Sequence, residues 1–331
     1  MSNTLTFIEN YYLPSGRVFL FKTSDDYLIE STEMQDVTLE GKNHEEVRNS
    51  LDPRIIWKHL VPRDIKWLMT VSTQKGCVHN CKFCDVAPLK FNGNLTDEEI
   101  IDQFKFMLKY TPLSKDKYYE KLKLGFARMG EPAWNIDNVI NAMKEIDDIC
   151  ITKKIKLLPC FNSIIPHTSK YTSEEIINKV IETKENYFNG FLHFQISCNS
   201  TDENIRHDLF QTKNIETIEN IIKYINKEKI TNRTITLNFI VMKDIPIDIQ
   251  LLKKMGLNKE KFAVKLIPLN NTINSINNEL NTLYNYNSYD ELKKYAKEFQ
   301  DEGIPVIYDA IAKCEEAGLC CGQLAHIFKN K

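Results

Sequence analysis

Several features are missing from this 331-residue chain. No apolar run approaches the ~20 residues that a membrane-spanning helix needs, and the N-terminal stretch MSNTLTFIEN is too polar for a signal peptide. We therefore expect a soluble, cytoplasmic protein with no membrane partner. No cysteine precedes Cys77, although the chain has nine in all. In a cytoplasmic protein, cysteines serve as metal ligands or catalytic thiols more often than they form disulfides.

The chain also lacks an excess of charge of one sign. Its formal net charge is −2 and its pI is about 6.4, so nothing in the overall composition indicates a polyanion-binding surface. Internal repeats and low-complexity linkers are absent as well. A chain of this length with 42% hydrophobic residues can form one large domain, or a barrel with a small appendage.

Hydrophobic periodicity predicts a small β-meander followed by an α/β core. Residues 4–40 contain three strand-like runs separated by PSG and SDD turns, and residues 41–65 are polar and partly helical. From residue 66 onward, helical segments alternate with the strand-like runs WLMTVST, LKLGFAR, IKLLPCF, FLHFQIS, TITLNFIV and FAVKLIPL. One helix begins after Thr96, an N-cap that completes a capping box with Glu99.

Six β/α units in succession predict a parallel sheet in an open or partial (β/α)6 barrel. A further strand, IPVIYDA, precedes the cysteine-rich tail KCEEAGLCCGQLA. We therefore divide the chain into a β-meander with its connector (1–65), a core barrel (66–310) and a C-terminal tail (311–331).

Polar and sulfur-bearing residues follow the predicted core strands, where α/β folds carry their chemistry. Because parallel strands end at one edge of the sheet, we expect these residues to gather there. They are the cysteines of 77–84 after the first strand, GEP (Gly130–Pro132) after the second, Cys160 at the end of the third, Ser197 and Cys198 at the end of the fourth, and Asn270 after the sixth.

Cys77, Cys81 and Cys84 form a C-x3-C-x2-C motif in the polar stretch GCVHNCKFCD. Three thiolates from one short loop suit a [4Fe–4S] cluster whose fourth iron stays open. A zinc ion with His79 as fourth ligand is the alternative, but His79 lies between the cysteines, where coordination would be cramped. A third reading, three cysteines buried in a core, fits poorly with so polar a stretch.

This motif is that of the radical S-adenosylmethionine (SAM) enzymes, and the surrounding sequence resembles the RlmN/Cfr family of ribosomal RNA adenine methyltransferases. VSTQKGCVHNCKFCDVAPLKFNGNLTDEEI is similar to the same region of that family. MGEPAWNIDNVINAM resembles its GMGEP segment, LIPLN its LIPWN segment, and CCGQLA its ACGQLA segment. The similarity runs in order from about residue 17 to about residue 325.

The resemblance implies a [4Fe–4S] cluster on Cys77, Cys81 and Cys84, with SAM bound through the open iron. It further implies a set of SAM-contacting residues. Cys160 stands where the family has a serine and Asn199 where it has a histidine, and without the resemblance any of these residues would suit a turn or a strand end. The implied SAM contacts are Gly130, Glu131, Cys160, Ser197, Asn199 and Asn270.

The resemblance also implies a methyl carrier and a base. Cys321 matches the cysteine that receives a methyl group from one SAM; a radical formed from a second SAM then activates this group for addition to adenine. Glu30 lies in the strand that resembles the one carrying the family's general base, with Glu33 as a nearby competitor. Without the resemblance, Cys321 could equally be a buried apolar residue and Glu30 a surface charge.

The chain departs from the family pattern at the second catalytic cysteine, seven residues before the first cluster cysteine. Thr70 occupies that position, and a hydroxyl cannot form the disulfide that releases methylated RNA. Cys160, Cys198 or Cys320 could take over the role, although a disulfide between the adjacent Cys320 and Cys321 would be strained. The chemistry could instead differ, or the protein could be a degenerate paralogue.

We expect a radical SAM methyltransferase acting on C2 or C8 of an RNA adenine, in 23S rRNA or tRNA. The alternatives are different radical chemistry on a nucleotide, small molecule or peptide, and a noncatalytic Fe–S paralogue. A flavodoxin or ferredoxin would supply electrons, and the protein would be monomeric. The helical accessory domain that precedes the hairpin in RlmN-type enzymes has no counterpart in these residues. A weak basic rim could be formed by Lys75, Lys82, Lys90 and Lys123.

Overall fold

A computed structural model shows one continuous sheet flanked by helices. It describes residues 4–13, 15–36, 60–111, 113–283, 289–308 and 320–329. The predicted helical character of residues 41–59 and most of the predicted tail segment therefore lie outside the described residues. In the described parts of the chain, no helix combines the length and the apolar character needed to cross a membrane.

Ten described strands follow one another across the sheet in chain order. Neighbours from β1 to β4 are antiparallel, and neighbours from β4 to β10 are parallel. The strands are β1 (Leu5–Leu13), β2 (Gly16–Thr23), β3 (Leu28–Gln35), β4 (Trp67–Thr70), β5 (Tyr119–Gly125), β6 (Ile155–Ser163), β7 (His193–Ser197), β8 (Ile235–Val241), β9 (Phe262–Pro268) and β10 (Val306–Tyr308). The predicted α/β fold with an open, partial barrel is confirmed, since β1 and β10 form the two edges of one open sheet among the described strands.

Helices connect the parallel strands as the alternating pattern predicted. The capping box is present: Thr96 Oγ1 accepts the N–H of Glu99 at 3.1 Å, and the Glu99 carboxylate accepts the N–H of Thr96 at 2.8 Å. The described helices are α1 (Asp97–Tyr110), α2 (Ile136–Thr152), α3 (Ser173–Glu182), α4 (Glu203–Phe210), α5 (Ile218–Lys227), α6 (Ile249–Lys254), α7 (Ile273–Asn277), α8 (Tyr289–Asp301) and α9 (Gln323–Lys329).

The parallel part of the sheet has two chemically different faces, because successive side chains of a strand point to opposite sides. One face is packed in the main hydrophobic core with the helices and includes Leu122, Phe161 and Phe239. Burial of each such side chain contributes about 1.5–3 kcal/mol. We call the opposite side the polar face. It carries Thr70, Lys123, Cys160, His193, Gln195, Ser197, Thr236, Asn238 and Lys265.

The N-terminal meander extends the sheet directly. β3 pairs with β4, with Thr32 opposite Thr70, and the two threonine hydroxyls are hydrogen-bonded at 2.6 Å. This pairing brings Glu30, two residues before Thr32 on the same side of β3, to the polar face. The divisions of the chain at residues 65 and 310 stay predictions.

Candidate active site

The loop that leaves β4 carries Cys77, Cys81 and Cys84 to the carboxyl edge of the parallel sheet. We call residues 76–85 the cluster loop. Burial raises the pKa of the Cys77 thiol to about 12, and it raises the pKa values of Cys81 and Cys84 as well. The charges of Cys77 and Cys84 both raise the pKa of Cys81, so the three thiols interact electrostatically. Thiolates so shielded from water require a cation, and ligated iron would supply it.

The three thiols of the cluster loop are the donor set that a [4Fe–4S] cluster with one open iron would use. Among the described residues, no three His, Cys, Asp or Glu side chains are grouped so that they could hold one metal ion. A [4Fe–4S] cubane does not need such convergence, because each thiolate binds a different iron. The donor set therefore fits the cluster that the motif predicts.

His79 has a different partner. Its Nε2 accepts the indole N–H of Trp134 at 3.2 Å, and burial lowers the pKa of His79 to about 4. The neutral ring is therefore held against Trp134, which follows GEP and Ala133 in the sequence. This contact occupies the nitrogen that would otherwise be available as a fourth ligand, which the zinc alternative requires.

The segment after β9 holds the cluster loop in place. The Asp85 carboxylate accepts the N–H groups of Ile273 at 3.1 Å and Asn274 at 2.8 Å, which begin the short helix α7. In return, Asn274 Nδ2 donates to the carbonyl oxygens of Cys81 at 2.9 Å and Cys84 at 3.1 Å. The LIPLN region therefore positions the cysteine backbone, which the sequence alone did not indicate.

Gly130 and Glu131 lie against the start of the cluster loop. Gly130 has a φ of +99°, and a Cβ there would lie 2.5 Å from Gln74 Cβ, so only glycine fits. The Glu131 carboxylate accepts the N–H groups of Ala133 and Ile164, both at 3.1 Å, and burial raises its pKa to about 7. A cationic amino group bound beside it would favour the charged carboxylate again.

Other predicted SAM contacts leave polar atoms without partners at the same edge. Ser197 ends β7. Asn199 uses Oδ1 to accept the N–H of Ile240 at 3.2 Å, but its Nδ2 is buried without a partner among the described residues, as is Oδ1 of Asn270. Each unsatisfied buried group costs about 1–3 kcal/mol. A polar ligand at this edge would remove that cost, and the amino acid moiety of SAM offers both donors and acceptors.

Cys160 lies farther from the carboxyl edge of the sheet than the sequence predicted, because it is not at the end of its strand. β6 continues three residues beyond it to Ser163, a distance of about 10 Å along a strand. Ser163, rather than Cys160, hydrogen-bonds the Glu131 carboxyl. Cys160 faces the middle of the polar face at the level of Gly125 and His193, so its role as a SAM contact stays a prediction.

Cys321 comes to the cluster loop from the other end of the chain. It lies close enough to Cys84 for its charge to raise the pKa of that thiol. Arg128 Nη1 donates to Cys321 Sγ at 3.7 Å, and Arg128 Nη2 donates to the carbonyl oxygen of Cys320 at 3.3 Å. The structure thus brings the predicted methyl carrier and the predicted cluster ligands together.

The CGQL sequence docks this tail. Gly322 has a φ of +83°, and a Cβ there would lie 2.8 Å from the backbone nitrogen of Val86, which follows the cluster loop. Gln323 Oε1 accepts the N–H of Cys320 at 2.7 Å. The Glu30 carboxylate accepts the N–H of Gly322 at 3.1 Å and of Ala325 at 2.7 Å. Glu30 therefore caps the amino end of α9.

Glu30 and Glu33 lie on opposite sides of β3. Glu30 faces the polar side beside the tail, whereas Glu33 forms an ion pair with Arg63 and accepts the indole N–H of Trp67 at 2.6 Å. Both carboxylates are fully buried. Their different partners place only Glu30 beside Cys321.

The remaining thiols differ in what they face. Thr70, at the position of the family's second catalytic cysteine, lies on the polar face. Cys198 and Cys150 belong to the main hydrophobic core, and burial raises the pKa of Cys198 to about 12. Cys160 is level with Thr70 but two strands away, which is about 10 Å.

The predicted basic rim is largely neutralised. Lys75 forms an ion pair with Asp25 at 2.6 Å, and Lys82 forms one with Asp208 at 2.6 Å. Lys90 is exposed, while Lys123 lies on the polar face away from the cluster loop.

Arg128 is a further site residue that the sequence analysis missed. It precedes MGEP in the stretch FARMGEP, at the position of the first glycine of the family's GMGEP segment. That replacement is visible in the sequence, but its significance depends on Glu30 and Cys321, which are distant along the chain.

Comparisons with known proteins agree with this geometry. No family model matches the chain. The probable dual-specificity RNA methyltransferase RlmN of Aquifex aeolicus (strain VF5) is 24% identical over 326 residues, covering 96% of this chain and 78% of that protein. The dual-specificity RNA methyltransferase RlmN of Nautilia profundicola is 26% identical over 340 residues, covering 99% of this chain and 83% of that protein.

Among solved structures, a radical SAM methyltransferase from Sphaerobacter thermophilus shares the fold. It superposes with a TM-score of 0.66 at 17% identity, covering 97% of this chain and 81% of that one. The two sequence relatives carry the similarity over nearly the whole chain, and the structural match extends it to the arrangement of the sheet.

Proposed function

We propose that this chain, which is similar over nearly its whole length to two RlmN-type RNA methyltransferases, is a radical SAM enzyme of that type and methylates an adenine of RNA through Cys321. The observation that carries this proposal is the docking of Cys321 beside Cys84. A tail cysteine held against the cluster loop by Arg128 is placed to receive a group from a cofactor bound there.

The cofactor-binding residues follow from the site. Cys77, Cys81 and Cys84 would hold the [4Fe–4S] cluster, and the unsatisfied amide atoms of Asn199 and Asn270 would contact SAM with Glu131, Gly130 and Ser197. When bound, the cluster and SAM supply the methyl group and the reductive radical chemistry.

The protein's own contribution is to present a sulfur and to position it. With SAM bound, Cys321 would give up its thiol proton and present its sulfur to the methyl group that SAM supplies, and the sulfonium would leave as a neutral thioether. Arg128 directs the sulfur through its contact with Sγ. Glu30, beside it on the polar face, is the proposed base for the proton of the substituted adenine carbon.

We propose RNA as the acceptor because both sequence relatives are named RNA methyltransferases. The acceptor atom would be C2 or C8 of adenine, in 23S rRNA or tRNA. We expect the protein to work in the cytoplasm as a monomer, with a flavodoxin or ferredoxin as electron donor.

A second candidate is a radical SAM enzyme that does not release its product through a disulfide. Thr70 supports it, because its hydroxyl is hydrogen-bonded to Thr32 where the family has a thiol. The two candidates differ in whether Cys321 becomes methylated and whether RNA is the acceptor.

The test is tandem mass spectrometry of the peptide containing Cys320 and Cys321, from protein produced anaerobically with its cluster and supplied with SAM. We expect methyl on Cys321, its loss in Cys321→Ala, and its retention in the matched variant Cys320→Ala. An unmethylated Cys321 in protein that still forms 5′-deoxyadenosine would overturn the methyltransferase proposal and favour the second candidate.

A further inference from the structure

Four cationic side chains lie on or beside the polar face. Lys121 and Lys123 lie on β5, Lys265 on β9, and Arg233 just before β8. We call these four residues the basic patch. Charges of all four act on Cys160 and on His193 at the centre of the sheet, so residues from three separate parts of the sheet converge there.

Three members of the basic patch have no acidic partner among the described residues. In the described structure, Lys121, Lys123 and Arg233 form no ion pair. The cations repel one another: burial, Lys66, Arg233 and Lys123 together lower the pKa of Lys121. Lys66 itself is paired with Asp36. A group of like charges that are partly removed from water is costly to maintain without an anion.

Two buried nitrogens at the basic patch also lack hydrogen-bond partners in the part of the chain that the structure describes. Arg233 Nε is buried and donates to no acceptor. His193 is only 5% exposed; its Nε2 is hydrogen-bonded to Thr236 Oγ1 at 3.1 Å, while its Nδ1 has no partner. When the Thr236 hydroxyl donates to Nε2, Nδ1 carries a proton and becomes a second donor without an acceptor.

The hydrogen-bonding properties of these groups indicate what kind of ligand would bind to them. Lysine ammonium groups, a guanidinium and a neutral imidazole N–H all donate, and a phosphate accepts such bonds through several oxygens at once. These donors do not belong to the candidate active site at the carboxyl edge of the sheet. Lys121, for example, lies four residues before the carboxyl end of β5, which is about 13 Å from that edge along the strand.

We propose that the basic patch is a phosphate-binding site, which takes a phosphate group from an oligonucleotide backbone or from a small phosphorylated molecule. Lys121, Lys123 and Arg233 provide the unpaired charge, and Arg233 Nε and His193 Nδ1 provide hydrogen bonds. The proposal does not depend on methyl transfer, because phosphate binding can be measured without SAM.

The test is isothermal titration of inorganic phosphate into the cluster-loaded protein at low salt. We expect saturable binding, weakened about tenfold or more in Lys121→Gln/Arg233→Gln through the loss of charge-assisted hydrogen bonds. The matched variant Lys105→Gln/Lys109→Gln removes the same charge from exposed positions on α1 and should bind like the parent protein. No saturable binding, or equal weakening in both variants, would overturn the proposal.

Two further measurements keep the test independent of folding. Phosphate should raise the pKa of His193, now lowered to about 2 by burial and the four cations, and the NMR signal of the ring follows this directly. An unchanged ring signal would also overturn the proposal. A single-stranded oligonucleotide without terminal phosphates identifies the source: competition with phosphate assigns the site to a strand, and lack of competition assigns it to a small molecule.

Discussion

Arg128 and Glu30 form a buried ion pair, with 2.6 Å between Arg128 Nη2 and Glu30 Oε2 and side chains that are 1% and 0% exposed. The same carboxylate binds the backbone of Gly322 and Ala325. One carboxylate therefore joins β3, the segment after β5 and the C-terminal helix. The arrangement requires an arginine where the GMGEP segment of the resembling family has glycine.

We predict strong coupling between Arg128 and Glu30. Arg128→Met would leave the Glu30 carboxylate buried without a counter-ion. Glu30→Leu would likewise leave the Arg128 guanidinium buried without a counter-ion. Each substitution should lower the free energy of unfolding by about 3–5 kcal/mol. The double variant should cost clearly less than the sum of the two. Urea unfolding of all four proteins measures the coupling, and strictly additive losses would refute it.

A second prediction concerns the docking of the tail. Gly322→Ala would place a methyl group against the Val86 backbone and shift Cys321, and misplacement by about 1 Å can reduce a reaction about 100-fold. Methylation of Cys321, followed by mass spectrometry, should fall accordingly while iron content stays unchanged.

Gly303→Ala is the matched control for Gly322→Ala. Gly303 also has a positive φ, +73°, but a Cβ there would meet only Lys259 Nζ, at 3.7 Å. Backbone strain should lower the free energy of unfolding of this variant by about 1–2 kcal/mol, but Cys321 should still be methylated. Equal loss in both variants would mean that general destabilisation, rather than displacement of Cys321, is responsible.

A third prediction separates a cluster from a zinc site. Cys81→Ser should abolish the cluster, whereas His79→Gln should retain about four irons per chain, because His79 binds Trp134. Iron, sulfide and zinc analysis of anaerobically prepared protein measures this. Stoichiometric zinc that is lost on replacement of His79 would contradict the cluster assignment.

A fourth prediction addresses product release, and it rests on the proposed function. With Thr70 in place of a thiol, methylated RNA should stay attached to Cys321 after one turnover, and Thr70→Cys should allow release by disulfide formation. Thr32→Cys is the control, since Thr32 is the hydrogen-bond partner of Thr70 on the neighbouring strand.

Repeated turnover by the parent protein would contradict this expectation and identify another resolving thiol. Cys160 would then be tested first, because it lies on the polar face level with Thr70. Loss of turnover in Cys160→Ser, but not in Cys198→Ser, would assign the role. Cys198 is the suitable comparison because it is buried in the main hydrophobic core.

The sequence by itself determined the elements of the fold and the type of metal centre. Alternating and continuous apolar runs predicted the strands, because strand side chains alternate between faces and parallel strands are buried. The Thr96 capping box is a local signal and was equally readable. The spacing of Cys77, Cys81 and Cys84 indicated a cluster because all its ligands lie in one loop.

Only the tertiary structure decided the contacts between distant segments. It placed Glu30 rather than Glu33 beside Cys321, through the pairing of β3 with β4, and it brought Arg128 between them. It also gathered Lys121, Arg233 and Lys265 around His193. Such contacts depend on strand order and register, and a shift by one residue would turn each of these side chains to the other face of the sheet.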